Sequence, residues 1–126
     1  MSSLRIFIGI AVAALTWTLG FGSAQADETF TFRVKSNYDY KVQIAFFSQS
    51  RNYVWPGPAR AFSLDDSRTQ SFPLTCDAGE KICYGAWVTG DGSLAWGVGP
   101  KNDQNCKNCC FVCGDGDMSP VLNLSD

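Results

Sequence analysis

The sequence predicts an all-β fold: a single antiparallel β-sandwich of about eight short strands, stabilised by disulfides. Three observations carry that prediction. Apolar residues recur with period two and not 3.6. No window sustains a helical stripe. The apolar runs are cut at hairpin spacing by clusters of Gly, Pro, Asn and Asp.

Each element follows from the alternation. In Thr29–Lys35, Phe30, Phe32 and Val34 alternate with Thr31, Arg33 and Lys35, the pattern of a half-buried strand. Tyr40, Val42, Ile44 and Phe46 alternate with Lys41, Gln43, Ala45 and Phe47, and the turn formers Ser36-Asn37-Tyr38-Asp39 between the two runs predict a hairpin. Arg60–Leu64 sets Phe62 and Leu64 on one face. Ser71–Cys76 does the same with Phe72, Leu74 and Cys76, and Pro73, which has no amide hydrogen to donate, marks it as an edge strand. Ile82–Val88 and the run through Leu94, Trp96 and Val98 form a second hairpin across Thr89-Gly90-Asp91-Gly92-Ser93. Phe111–Cys113 and Val121–Leu124 complete the set. Tyr53-Val54-Trp55-Pro56-Gly57-Pro58 breaks the pattern and is expected as a rigid loop carrying two large aromatics.

Residues 1–26 have the three parts of a secretory signal: Arg5, an apolar run from Ile6 to Leu19, and Ser23-Ala24-Gln25-Ala26 as an Ala-x-Ala cleavage site. The competing reading, a retained anchor, needs about 20 apolar residues. Residues 27–126 are then one β domain, expected to act in the periplasm or outside the cell, with no membrane attachment after cleavage.

Composition removes several function classes. At 45% hydrophobic and 17% charged residues, the chain is neither disordered nor highly charged. There is no histidine, which excludes Ser-His-Asp and Cys-His catalysis, His-based zinc sites and an imidazole switch. The net charge of −2, with scattered Lys and Arg, gives no basic patch, so no nucleic-acid partner is expected.

Cys76, Cys83, Cys106, Cys109, Cys110 and Cys113 are an even number in an exported chain, so disulfides are the default. Of the fifteen pairings open to six cysteines, some join Cys76 to Cys83 and close the Cys-x-x-Cys-Cys-x-x-Cys tail on itself; the majority tie both upstream cysteines to the tail. The latter restrict the unfolded chain more and are favoured here, with Cys109–Cys110 the least favoured pair on strain grounds. The functional alternative is a four-thiolate metal or redox site built from Cys106, Cys109, Cys110 and Cys113.

Aromatic residues are dense, and the phenylalanines belong to the core. Tyr53 and Trp55 on the proline-braced loop, with Trp87 opposite the Ile82/Tyr84 face, are candidates for a ligand platform; a Trp beside a Pro can equally plug the end of a sandwich. Glu80 is the carboxylate to consider for acid–base chemistry, yet a glycosidase needs two carboxylates across a cleft. Gly114-Asp115-Gly116-Asp117 lacks the rest of a calcium loop and reads as a solvated turn.

The run Gly79-Glu80-Lys81-Ile82-Cys83-Tyr84-Gly85-Ala86-Trp87, then Trp96-Gly97-Val98-Gly99 and the cysteine-rich tail, resembles a group of small, uncharacterised exported bacterial proteins. The resemblance implies a bacterial periplasmic or secreted setting. It brings no activity with it, and it makes Gly79-Glu80 the turn feeding the Cys83 strand, with Glu80 holding backbone amides as readily as acting in chemistry.

These readings converge on a non-catalytic exported module that recognises an envelope or extracellular protein, or a glycan, through Tyr53, Trp55 and Trp87, without a cofactor. The alternative is the thiolate metal or redox protein, and a third reading is a small hydrolase dependent on Glu80.

Overall fold

A computed structural model describes residues 27–125; the secretory signal expected at residues 1–26 lies outside the described residues. Nine strands are present there: β1 Glu28–Ser36, β2 Val42–Ser48, β3 Val54–Trp55, β4 Phe62–Leu64, β5 Gln70–Cys76, β6 Lys81–Val88, β7 Asp91–Gly97, β8 Cys110–Val112 and β9 Met118–Leu124. They form two packed sheets. One has the order β5-β1-β9. The other has β2 and β6 at its centre; β3 and β4 lie end to end along the free edge of β2, and β7 and β8 along that of β6. The all-β, disulfide-bridged sandwich is the fold of this chain.

The core lies between the sheets and is built from the alternation. Phe30, Phe32 and Val34 of β1 and Phe72, Leu74 and Cys76 of β5 face Val42, Ile44 and Phe46 of β2 and Ile82 and Ala86 of β6. Phe32 is fully buried, with ring centroids 4.6 Å from Phe46 and 5.1 Å from Phe30. Burying a side chain of this size contributes roughly 1.5–3 kcal/mol. The odd-numbered residues Arg33 and Lys35 of β1 face outward, and β5 is an edge strand with Pro73 on its exposed side, as its missing N–H requires.

Three expectations need correction. β1 and β2 do not form a hairpin: they belong to different sheets, and residues 37–41 carry the chain across the sandwich. The crossing is fixed where Asn37 N–H donates to the Leu124 carbonyl and the buried Ser36 hydroxyl accepts from Tyr38 N–H. β2 is the reason. It is buried on both faces, and it takes β6 as its long antiparallel partner, with Val42 opposite Val88 and Ser48 opposite Ile82. Second, β9 runs parallel to β1, so one sheet is mixed. A bulge at the start of this pairing lets Arg33 bond Ser119 twice, backbone N to Oγ and Nε to the carbonyl. Third, the β6–β7 turn is tighter than predicted: Thr89-Gly90 suffices, with Gly90 at φ 83° and Val88 opposite Asp91.

The outer face of the six-stranded sheet is also covered. The segment between β7 and β8 crosses it and buries a second cluster of Ala45, Phe47, Cys83, Val98 and Cys109. Gly85 makes the close approach possible: a Cβ there would collide with the Gly99 carbonyl and press on the Phe47 ring.

The bridges are Cys76–Cys113, Cys83–Cys110 and Cys106–Cys109, so both upstream cysteines are tied to the tail. Cys76 ends β5 and Cys113 follows β8, so the first bridge joins the two sheets. The second joins β6 to β8 within one sheet. The third closes the short loop ahead of β8.

Candidate functional site

The strand period decides what the aromatic candidates do. On β3 the pairing of Phe46 with Trp55 and Phe47 with Val54 turns Trp55 inward and Val54 outward. Consequently Tyr53 and Trp55 line one hollow and Val54 lines another, together with Trp87. Tyr53, Trp55 and Trp87 therefore do not meet in one platform.

Trp55 is 7% exposed. Its indole N–H donates to the Thr75 carbonyl of β5 at 3.0 Å, so it spans the end of the sandwich as a plug. The exposure that a platform needs is absent at this residue. Tyr53 remains 45% exposed and meets the Trp55 ring edge-on at 4.8 Å. The Arg51 guanidinium lies 4.5 Å from the Tyr53 ring centroid.

Arg51 is anchored from below by Glu80, whose side chain is 1% exposed. Arg51 Nε donates to Glu80 Oε2 at 2.6 Å and Nη2 to Oε1 at 3.2 Å, while Asp77 N–H donates to Oε1 at 2.9 Å. Burial alone would push the Glu80 carboxyl up. Hydrogen bonds from Arg51, the Ser48 hydroxyl and the Asp77 amide, with the Arg51 charge, outweigh burial and hold it below the usual carboxylate range. The Glu80 bond in turn holds the Arg51 guanidinium above its ordinary value. Glu80 thus joins the β2–β3 loop to the β5–β6 turn, beside the Cys76–Cys113 bridge, whose Cys113 N–H donates to the Glu80 carbonyl.

The second hollow is a groove of about 320 Å³ on the outer face of the six-stranded sheet. Ala45 and Phe47 of β2 form its apolar floor. Gln43 and Trp87 stand beside each other as cross-strand partners of β2 and β6, the Trp87 indole N–H donating to Gln43 Oε1 at 3.2 Å. Arg60, from the loop before β4, forms one wall, and Pro100, from the β7–β8 segment, another. A bond from Gln49 Nε2 to Asn102 Oδ1 at 2.8 Å ties that segment to the end of β2. Among the described residues, no carboxylate lies within ion-pairing distance of the Arg60 guanidinium. None of the lining residues is acidic. The groove therefore offers an indole, an amide and an unpaired cation around an apolar base, a combination suited to binding and not to proton transfer.

Gln43, Arg60 and Pro100 escape sequence reading. Gln43 is one outward residue of a strand among several, and only the β2–β6 register places it against Trp87. All six cysteines are bridged. The sulfurs that gather within 4.8 Å of one another are Cys83, Cys109 and Cys110, a set that takes a member from β6 and leaves Cys113 with Cys76. No family model, curated protein or solved structure matches the chain.

Proposed function

We propose that this protein is an exported, non-catalytic binding module that holds a glycan in the groove between Trp87, Gln43 and Arg60. The observation that carries the reading is the groove's lining: Arg60 and Gln43 border a ligand space with no acid among its lining residues, beside Trp87 and over an apolar floor. A sugar ring stacks on an aromatic side chain and presents hydroxyl or carboxylate oxygens to such donors. An acidic sugar is the better match because Arg60 has no internal counter-ion. The volume suits one or two sugar rings, at the lower end of the roughly 300–1,000 Å³ of small-molecule sites. The bridges that fix the β7–β8 segment also fix the wall bearing Pro100, so less ordering is required on binding. Export is supported by the leader pattern and by six bridged cysteines, which belong in an oxidising compartment.

The hydrolase reading has weaker support. Glu80, its candidate acid, is already ionised and doubly bonded to Arg51, whereas a general acid near neutral pH needs a raised value.

The test is a titration of the oxidised residues 27–126 with uronic-acid and neutral oligosaccharides, followed by tryptophan fluorescence. Saturable quenching that is stronger for the acidic series, and lost in Trp87→Ala, supports the reading. Equal and unsaturable responses in wild type and Trp87→Ala would overturn it.

A further inference from the structure

The Cys106–Cys109 bridge differs from the other two. Those close loops with sequence separations of 37 and 27; this one closes a separation of 3 and joins no two strands. So local a bridge restricts the unfolded chain the least of the three, and stapling accounts for it less than for the other two. Its two ends are also unequal. Cys106 is exposed, with Lys107 next to it in the chain, whereas Cys109 is 2% exposed and packed in the second cluster with Cys83. Cys109 Sγ stands 3.5 Å from Cys110 Sγ, and the sulfurs of Cys83, Cys109 and Cys110 all lie within 4.8 Å of one another. Two separate disulfides therefore abut through a buried sulfur, while one of them reaches solvent.

We propose that Cys106–Cys109 is an exchange-active disulfide, which accepts an external thiolate at Cys106 and relays the exchange through Cys109 to the Cys83–Cys110 bridge. The site takes a thiol as its substrate class, whether small molecule or protein side chain, and it acts independently of what the groove binds. Attack falls on Cys106 because that residue is exposed and Cys109 is buried. A bond forms between the incoming sulfur and Cys106, the Cys106–Cys109 bond breaks, and Cys109 leaves with the electron pair. The Cys109 thiolate then attacks one sulfur of the Cys83–Cys110 bridge. A new disulfide forms to Cys109, the Cys83–Cys110 bond breaks, and the other sulfur leaves as a thiolate that takes up the proton lost by the incoming thiol. Three protein disulfides and one thiol become two protein disulfides, one mixed disulfide and one protein thiol, so the thiol is the only co-reactant. Attack on Cys83 frees Cys110 and moves the tie from β6 to Cys109, one residue ahead of β8; attack on Cys110 frees Cys83 and releases the tie altogether.

The experiment treats oxidised residues 27–126 with reduced glutathione, quenches with N-ethylmaleimide and maps the products by peptide mass. The expected result is glutathione on Cys106, with maleimide on Cys83 or Cys110 rising in step and Cys76–Cys113 intact. Three results would overturn the proposal: no adduct at Cys106, an adduct with maleimide confined to Cys109, or opening of Cys76–Cys113 in step with the rest. A Cys106→Ala/Cys109→Ala double variant treated alike should keep Cys83–Cys110 closed; opening at the wild-type rate there contradicts the relay.

Discussion

Arg51 and Glu80 form a two-point ion pair, 2.6 Å through Nε and 3.2 Å through Nη2, in which the Glu80 side chain is buried and the Arg51 side chain is 40% exposed. The asymmetry matters. Removing the cation leaves an uncompensated charge inside the protein, which is costlier than losing an exposed pair. Arg51→Met should therefore destabilise the domain by about 3 kcal/mol, the lower end of the range for broken buried pairs, because water reaches the Arg51 side. Urea unfolding checks this, and a loss under about 0.5 kcal/mol, the scale of an exposed pair, would contradict it.

The same pair sets an acid limit. Glu80 is held below its ordinary value in the folded state, so the unfolded chain takes up the proton first as pH falls. The stability it contributes is fully present above the unfolded carboxyl value of about 4.3 and is lost as pH falls through the lowered folded value. Asp66 and Asp91, whose values are lowered by bonds from Arg68 and Ser93, act in the same direction at the surface. Glu80→Gln should thus flatten part of the acid slope and leave a shallower one. Unfolding midpoints measured between neutral and acid pH test it; an unchanged slope would refute the assignment.

The three bridges should differ in weight. By loop entropy, Cys76–Cys113 is worth about 4 kcal/mol and Cys106–Cys109 about 2 kcal/mol. Cys76→Ala/Cys113→Ala should lower the thermal midpoint far more than Cys106→Ala/Cys109→Ala, as calorimetry of the two double variants would record. The reverse ranking contradicts the view that the sheet-to-sheet bridge is the main staple.

Phe32 is fully buried at the centre of a ring cluster with Phe30, Phe46 and Phe111. Phe32→Ala should cost about 3–5 kcal/mol through lost transfer energy and the cavity left behind. A cost under about 1 kcal/mol in chemical unfolding would mean that the sheets pack elsewhere.

In the groove, Arg60→Ala should weaken an acidic oligosaccharide by about tenfold, equivalent to about 1.4 kcal/mol, and leave a neutral one unchanged. Tyr53→Ala, in the other hollow, should affect neither. Parallel fluorescence titrations of the two variants decide between the hollows, and the opposite pattern would move the site to Tyr53.

The sequence made the strands legible wherever one face is buried. Phe30, Phe32 and Val34, then Phe72, Leu74 and Cys76, alternate as a one-sided core demands, and Pro73 announced an edge. β2 was harder. Buried on both faces, it has an alternation that says little about its partners, and the polar segment after Ser36 suits a turn within one sheet as well as a crossing between two. The candidate site was half legible. Trp87 could be singled out as an aromatic on the outward face of its strand, but Gln43, Arg60 and Pro100 are brought to it by strand register and by the course of the β7–β8 segment. Trp55 was placed by pairing just two residues of β3 with β2, too short a strand for periodicity to announce.

The fold, the groove wall and the relay all depend on how the tail is tied down. Non-reducing peptide mapping of residues 27–126, purified without reductant, measures this directly. Cys76 should be found linked to Cys113, Cys83 to Cys110 and Cys106 to Cys109; a Cys76–Cys83 link, with the tail cysteines paired among themselves, would refute this arrangement of the tail.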